Sequence, residues 1–132
     1  MSQFKLKIVT PKGIYQELEI DQLNLETTAG QIGILAHHIP LASGVKISSM
    51  NYIINGQRTY FAVSDGFIYV NEKETTLIVN SIESQDEIDL DRANAAKQRA
   101  EERLKANKDE VDMLRAQVAL QRAITRIQVK NM

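Results

Sequence analysis

The feature that most constrains this chain is a change of pattern at Ser84. All six glycines and both prolines lie before it, as do all three Phe and all four Tyr. Nothing after it breaks a helix. Such a chain builds β structure first and helices second, with the large core side chains in the first half.

The first half reads as short strands. Phe4, Leu6 and Ile8 alternate with Lys5 and Lys7, the period of a strand with one buried face. Pro11-Lys12-Gly13 is a turn. Leu18 and Ile20, then Leu23 and Leu25, give two more alternating runs flanking Asp21. Thr28-Ala29-Gly30 turns the chain again, and Ile32 to Leu35 leads into a loop ending at Pro40. Gly44 to Ser48 reads as a further strand. Tyr52 to Ile54 and Arg58 to Val63 flank Asn55-Gly56, a strong hairpin signal. Ser64-Asp65-Gly66 turns into Phe67 to Val70, and the charged Asn71 to Glu74 precedes Thr75 to Asn80. Strands at this spacing predict an antiparallel sandwich or flattened barrel.

Ser84 followed by Glu87 is a capping-box pattern, with Asp86, Glu87 and Asp89 where carboxylates favour a helix N-terminus. Helix one is expected from about Glu87 to Ala106, a break at Asn107-Lys108-Asp109, and helix two from about Glu110 to Val129. Met113, Ala116, Leu120, Ala123 and Ile127 form a stripe at 3-4 spacing. Its partner is Ile88, Ala93, Ala96, Ala100 and Leu104. That seam is mostly alanine and buries few methylenes, each worth about 0.8 kcal/mol. The docking is therefore weak and the hairpin can open. The fold class is α+β: an N-terminal sandwich over residues 1–84 and an antiparallel two-helix hairpin over 85–132.

Composition excludes several roles. Sixteen basic residues against 17 acidic ones argue against a nucleic-acid binder. There is no cysteine, hence no disulfide, thiolate ligand or thiol nucleophile. No apolar run reaches the roughly 18 residues of a membrane span, and Met1 to Lys7 is not a secretory signal. A soluble cytoplasmic protein is expected. No phosphate loop or GxGxxG is present; Gly30 and Gly33 read as turn residues. His37-His38 is a poor metal pair, because adjacent side chains diverge. Ser43, Ser48, Ser49 and Ser64 lack base and acid partners, so neither catalytic nor metal residues are expected.

The helices carry one sharper pattern. Arg92 and Arg99, seven apart, share a helix face with Asp89, and Arg122 and Arg126, four apart, share a face of helix two. In an antiparallel hairpin the two sets can converge. Several guanidinium groups with a carboxylate suit a nucleotide: arginine binds phosphate bidentately, and Asp89 can accept from an amino group or a ribose hydroxyl. The competing reading is an ordinary solvated helix surface.

The whole chain resembles the epsilon subunit of bacterial F-type rotary ATP synthase. The resemblance rests on the domain order, on Gly30-Gln31-Ile32-Gly33-Ile34-Leu35 with His38-Ile39-Pro40-Leu41, on Ala62-Val63-Ser64-Asp65-Gly66-Phe67, and on Ile88-Asp89-Leu90-Asp91-Arg92-Ala93, which is similar to the family's nucleotide motif I/L-D-x-x-R-A. The family commonly has Pro-Gly where this chain has Ala36-His37, and Gly where it has Asp65.

The resemblance implies a non-catalytic central-stalk subunit, peripheral at the cytoplasmic face of the bacterial membrane. Its sandwich would bind the gamma subunit and the membrane rotor ring of c subunits, with His37 and His38 on the contact loop. Its hairpin would permit ATP hydrolysis when folded and block it when extended into the alpha/beta hexamer. No cofactor is required. ATP is implied as a regulatory ligand at Glu83, Ile88, Asp89, Arg92, Ala93, Arg99, Arg122 and Arg126, with the part played by magnesium left open. In the extended state Arg115, Arg122 and Arg126 would face acidic segments of the beta subunit. Two alternatives stand beside this: a structural coupling subunit without nucleotide sensing, and an unrelated sandwich adaptor with a helical docking arm. An exposed hairpin stripe also allows an isolated chain to pair with a second copy.

Overall fold

A computed structural model describes residues 2–106 and 109–132. Ten strands precede two helices: β1 Phe4–Thr10, β2 Gly13–Ile20, β3 Gln22–Thr27, β4 Gly30–Leu35, β5 Leu41–Val45, β6 Ser48–Ile54, β7 Gln57–Val63, β8 Gly66–Val70, β9 Glu74–Val79, β10 Ile82–Ser84, α1 Leu90–Ala106 and α2 Glu110–Lys130. The expected α+β arrangement is present, with the strands first and the two helices after them.

The strands form one continuous sheet in the order β10-β7-β6-β3-β5-β8-β9-β1-β2, with β4 also paired to β3. The fold-over occurs at β3. Its Gln22–Asn24 end pairs with β6 and its Thr27 end with β5, so one strand belongs to both layers. Pairing is antiparallel except between β1 and β9, which run parallel. Leu6, Ile8, Ile20, Leu23, Phe61, Ile68 and Leu77 fill the space between the layers, all with no exposed area. Each such side chain contributes about 1.5–3 kcal/mol by leaving water. Tyr52 and Tyr15 pack on the Phe61 ring at 5.0 and 6.4 Å between centroids. Asn55 (φ 52°) and Gly56 (φ 79°) make the tight β6–β7 turn that their sequence predicts.

Two expectations need correction. The run Gly44 to Ser48 is not one strand. Its Val45 end closes β5, the chain turns a corner at Lys46-Ile47, and Ser48 opens β6. Ser48 Oγ donates to Lys46 O at 2.9 Å across this corner. Apolar alternation continues through the bend and hides it in the sequence.

Helix one begins at Leu90, not Glu87. The capping-box bonds do form: Ser84 N–H donates to Glu87 Oε1 at 2.9 Å, and Glu87 N–H donates to Ser84 Oγ at 3.3 Å. They close a turn ahead of the helix. Ile88 is then buried with Ala62 and Val129, which takes it off the α1 seam and keeps its backbone out of the helix. Asp89 supplies the cap, accepting from Arg92 N–H at 3.1 Å. The expected break between helices includes Asn107 and Lys108, which lie outside the described residues. Its last residue, Asp109, caps α2 by accepting from Val111 N–H at 2.9 Å.

The helices pack along the predicted alanine seam, with Ala93, Ala100, Ala116 and Ala123 buried. A second face of α2, Thr125 and Val129, is buried toward the sandwich. Gln85 pins the end of α2: its side-chain amide donates to Val129 O at 3.0 Å and Met132 O at 2.8 Å, while Lys130 Nζ donates to Gln85 O at 3.0 Å. The end of α2 thus lies beside the approach to α1, which makes the hairpin antiparallel.

Candidate functional site

The β1–β2 turn, the Asn80 to Glu83 segment and the start of α1 enclose a cleft of about 800 Å³. It forms where α1 stands off the sandwich: Ala93 and Ala96 line its helix side, and Ile88, buried with Ala62 and Val129, anchors the chain just before the helix. Glu83, Asp89, Arg92, Ala93, Arg99 and Arg126 all line this cleft. Residues from the last strand and from both helices therefore meet in one place.

Ile88 and Arg122 do not line it. Ile88 is buried beside the cleft in the cluster with Val129. Arg122 lies on the far side of Arg126, where Nη2 reaches Asp65 Oδ1 at 3.4 Å. That contact is long, and Arg122 Nε is buried without a hydrogen-bond partner. Arg115 is exposed on α2. His37 and His38 sit in the β4–β5 loop, far along the chain from the cleft. His38 Nδ1 bonds Ile39 O at 2.7 Å, and exposed Leu35 and Ile39 flank the pair. Among the described residues no group of His, Asp or Glu is arranged to hold a metal.

The charges of the cleft are unevenly matched. Its carboxylates already have donors. Glu83 Oε1 accepts from Arg126 Nε at 2.5 Å. Asp89 caps α1. Glu87 accepts from the Tyr15 hydroxyl and from Ser84 N–H. The Tyr15 bond, then the Ser84 bond, hold the Glu87 carboxyl below its ordinary range. Burial and the adjacent Glu87 push the Tyr15 hydroxyl up, so it stays protonated as the donor. By contrast Lys12, Arg92 and Arg99 make no ion pair among the described residues. The arrangement suits an anionic ligand carrying several charges.

Sequence reasoning missed Tyr15, Lys12 and Gln85. Lys12, in the β1–β2 turn, and Tyr15, early in β2, line the cleft beside α1, and Tyr15 bonds Glu87 just ahead of the helix. Gln85 was hidden inside a pattern read as a simple helix start.

Two family descriptions match the chain in succession: "ATP synthase, Delta/Epsilon chain, beta-sandwich domain" over residues 3–85 and "ATP synthase, Delta/Epsilon chain, long alpha-helix domain" over residues 86–131. The ATP synthase epsilon chain of Bacillus cytotoxicus is 42% identical over 132 residues, covering 100% of this chain and 99% of that one. That of Bacillus thuringiensis is 42% identical over 104 residues, 79% of this chain and 78% of the relative. The fold is similar to a chain in the mitochondrial ATP synthase of Euglena gracilis, with TM-score 0.85 at 17% identity, covering 100% of this chain and 83% of the other. A chain from the central stalk and c-ring of the Tetrahymena thermophila enzyme gives TM-score 0.60 at 13% identity over 98% and 95% of the two chains.

Proposed function

The chain belongs to the ATP synthase epsilon-chain family, a non-catalytic stalk subunit, and on that premise we propose that it regulates its enzyme through a hairpin that senses ATP. The observation that carries this reading is the cleft itself. Among the described residues Arg92 and Arg99 of α1 line it without carboxylate partners, Arg126 of α2 joins them, and the sandwich forms the opposite wall.

ATP in this cleft touches both helices and the last strand, so it binds the folded form and has no equivalent site once the helices separate. A ligand shifts a two-state balance only by such differential affinity. At a hundred times its dissociation constant it adds about 2.7 kcal/mol to the folded form. The alanine seam leaves a balance that this amount inverts. Arg122 would reach a phosphate by exchanging its long Asp65 contact for it, which would also satisfy its unpartnered Nε.

In the extended state Arg115, Arg122 and Arg126 meet acidic segments of the beta subunit and inhibit hydrolysis. ATP and inhibition then exclude each other because they use the same arginines. Val111, Leu114 and Val118 support a second packing partner for α2: they form an exposed row on its outer face. Residues 1–84 bind gamma and the c-ring, with the His37-His38 loop and its exposed Leu35 and Ile39 at the contact, and residues 85–132 do the switching. No helix among the described residues is long and apolar enough to cross a membrane, and the subunit is placed at the cytoplasmic face by its partners. Among the described residues no group of three or more His, Asp or Glu could hold a metal, so any magnesium would be held largely by the nucleotide's own phosphates.

Calorimetric titration of the isolated chain with ATP, with GTP as control, tests this. Saturable one-to-one binding that favours ATP is expected. No heat and no thermal shift at millimolar ATP would leave a coupling subunit whose arginines serve only inhibition.

A further inference from the structure

The cleft has a wall on the sandwich side that the arginine pattern does not explain. That wall is the β1–β2 turn, where Thr10 Oγ1 accepts from Lys12 N–H at 3.2 Å and Gly13 takes φ 119°. Gly13 reaches this left-handed conformation without a steric clash, and Lys12 lines the same cleft as Arg92 and Arg99. Its ammonium makes no ion pair among the described residues, and the three carboxylates that share the cleft, Glu83, Glu87 and Asp89, are each held by a donor of their own. We propose that Lys12 is a binding residue for the polyphosphate of the cleft's ligand, contacting it from the sandwich side.

This rests on the cleft being a nucleotide site, and it gives that site a physical coupling. A phosphate held between Lys12 on one half and Arg92 and Arg99 on the other ties the hairpin to the sandwich directly. Undocking the hairpin then breaks the ligand's contacts on one side or the other.

The test is titration of the full chain with ATP and with AMP, comparing wild type with Lys12→Ala, Lys12→Arg and the remote control Lys73→Ala. Lys12 is exposed at a turn, and unchanged thermal midpoints without ligand would verify folding. Loss of one charge-assisted contact corresponds to about tenfold weaker ATP binding for Lys12→Ala. Lys12→Arg and Lys73→Ala should stay near wild type, and AMP should lose less than ATP. Equal ATP affinity of Lys12→Ala and wild type, or an equal loss with AMP, would overturn the assignment while leaving the nucleotide site in place. If wild type itself binds no ATP, the nucleotide reading fails, and the role of Lys12 fails with it.

Discussion

Arg126 Nε on the second helix donates to Glu83 Oε1 on the last strand at 2.5 Å, across 43 residues of sequence. It is a latch between the two halves, and it occupies the one cleft arginine contributed by α2. Both side chains are about one-third exposed, so the pair is screened and its coupling is modest. In a double-mutant cycle with Glu83→Gln and Arg126→Gln, followed by chemical denaturation, we expect a coupling of about 1 kcal/mol. Removal of Arg126 should also weaken ATP binding. Full additivity of the two substitutions would show that the latch holds nothing.

Gln85 serves the same docked state by hydrogen bonds alone. Replacing it with alanine leaves Val129 O and Met132 O without their side-chain donor. The expected cost is about 1–2 kcal/mol. Amide exchange should quicken in the last turn of α2 and stay unchanged in β6 and β7.

The alanine seam predicts a steric route to the open hairpin. Ala123 has no exposed area, so Ala123→Leu must push the helices apart, at about 1–3 kcal/mol. Val118→Ala on the outer face should stay within about 0.5 kcal/mol of wild type. Hydrogen exchange separates the two: the first exposes α1 and α2 while the sandwich core stays protected.

The Tyr15–Glu87 bond predicts a pH window for the linker turn. The Glu87 carboxyl lies below its ordinary 4.5 in the folded chain. Its contribution is therefore present above about pH 4.5 and lost as pH falls through the lowered folded value. Tyr15 lies above its ordinary 10.0, so its side of the bond is complete below that value and fades as pH rises through the folded one. Thermal midpoints of wild type and Glu87→Gln should differ near neutrality and converge in acid. A constant difference down to about pH 3 would contradict the assignment.

His37 adopts φ 65°, where an L side chain is strained by about 1–2 kcal/mol. Glycine removes that strain but adds about 0.5–1 kcal/mol of unfolded-state freedom. His37→Gly should therefore raise stability by about 0.5 kcal/mol in denaturant titration, and His37→Val should lower it.

Most of the architecture was legible in local signals. Asn55-Gly56 demanded its turn, Leu6 and Ile8 their buried face, and the absence of Gly and Pro after Ser84 its helices. The seam of Ala93, Ala100, Ala116 and Ala123 followed from helical period alone. The start of α1 was misjudged because Ser84 and Glu87 do make a capping box, but burial of Ile88 between the sandwich and Val129 overrides it and passes the cap to Asp89. The parallel pairing of β1 with β9 had no signal, since period two looks the same in either direction.

The candidate site divides the same way. Spacing put Asp89, Arg92 and Arg99 on one face, because a helix fixes neighbours three, four and seven residues apart. It could not say that Glu83 would hold Arg126, that Arg122 would turn toward Asp65, or that Lys12 and Tyr15 would come from the far end of the sheet. Those pairings join residues tens of positions apart, and no local periodicity encodes them. The sequence determined the elements and the charges each one carries; only the docking of α2 on β6 and β7, which sets the hairpin across a cleft from the β1–β2 turn, decided which of those charges share a site.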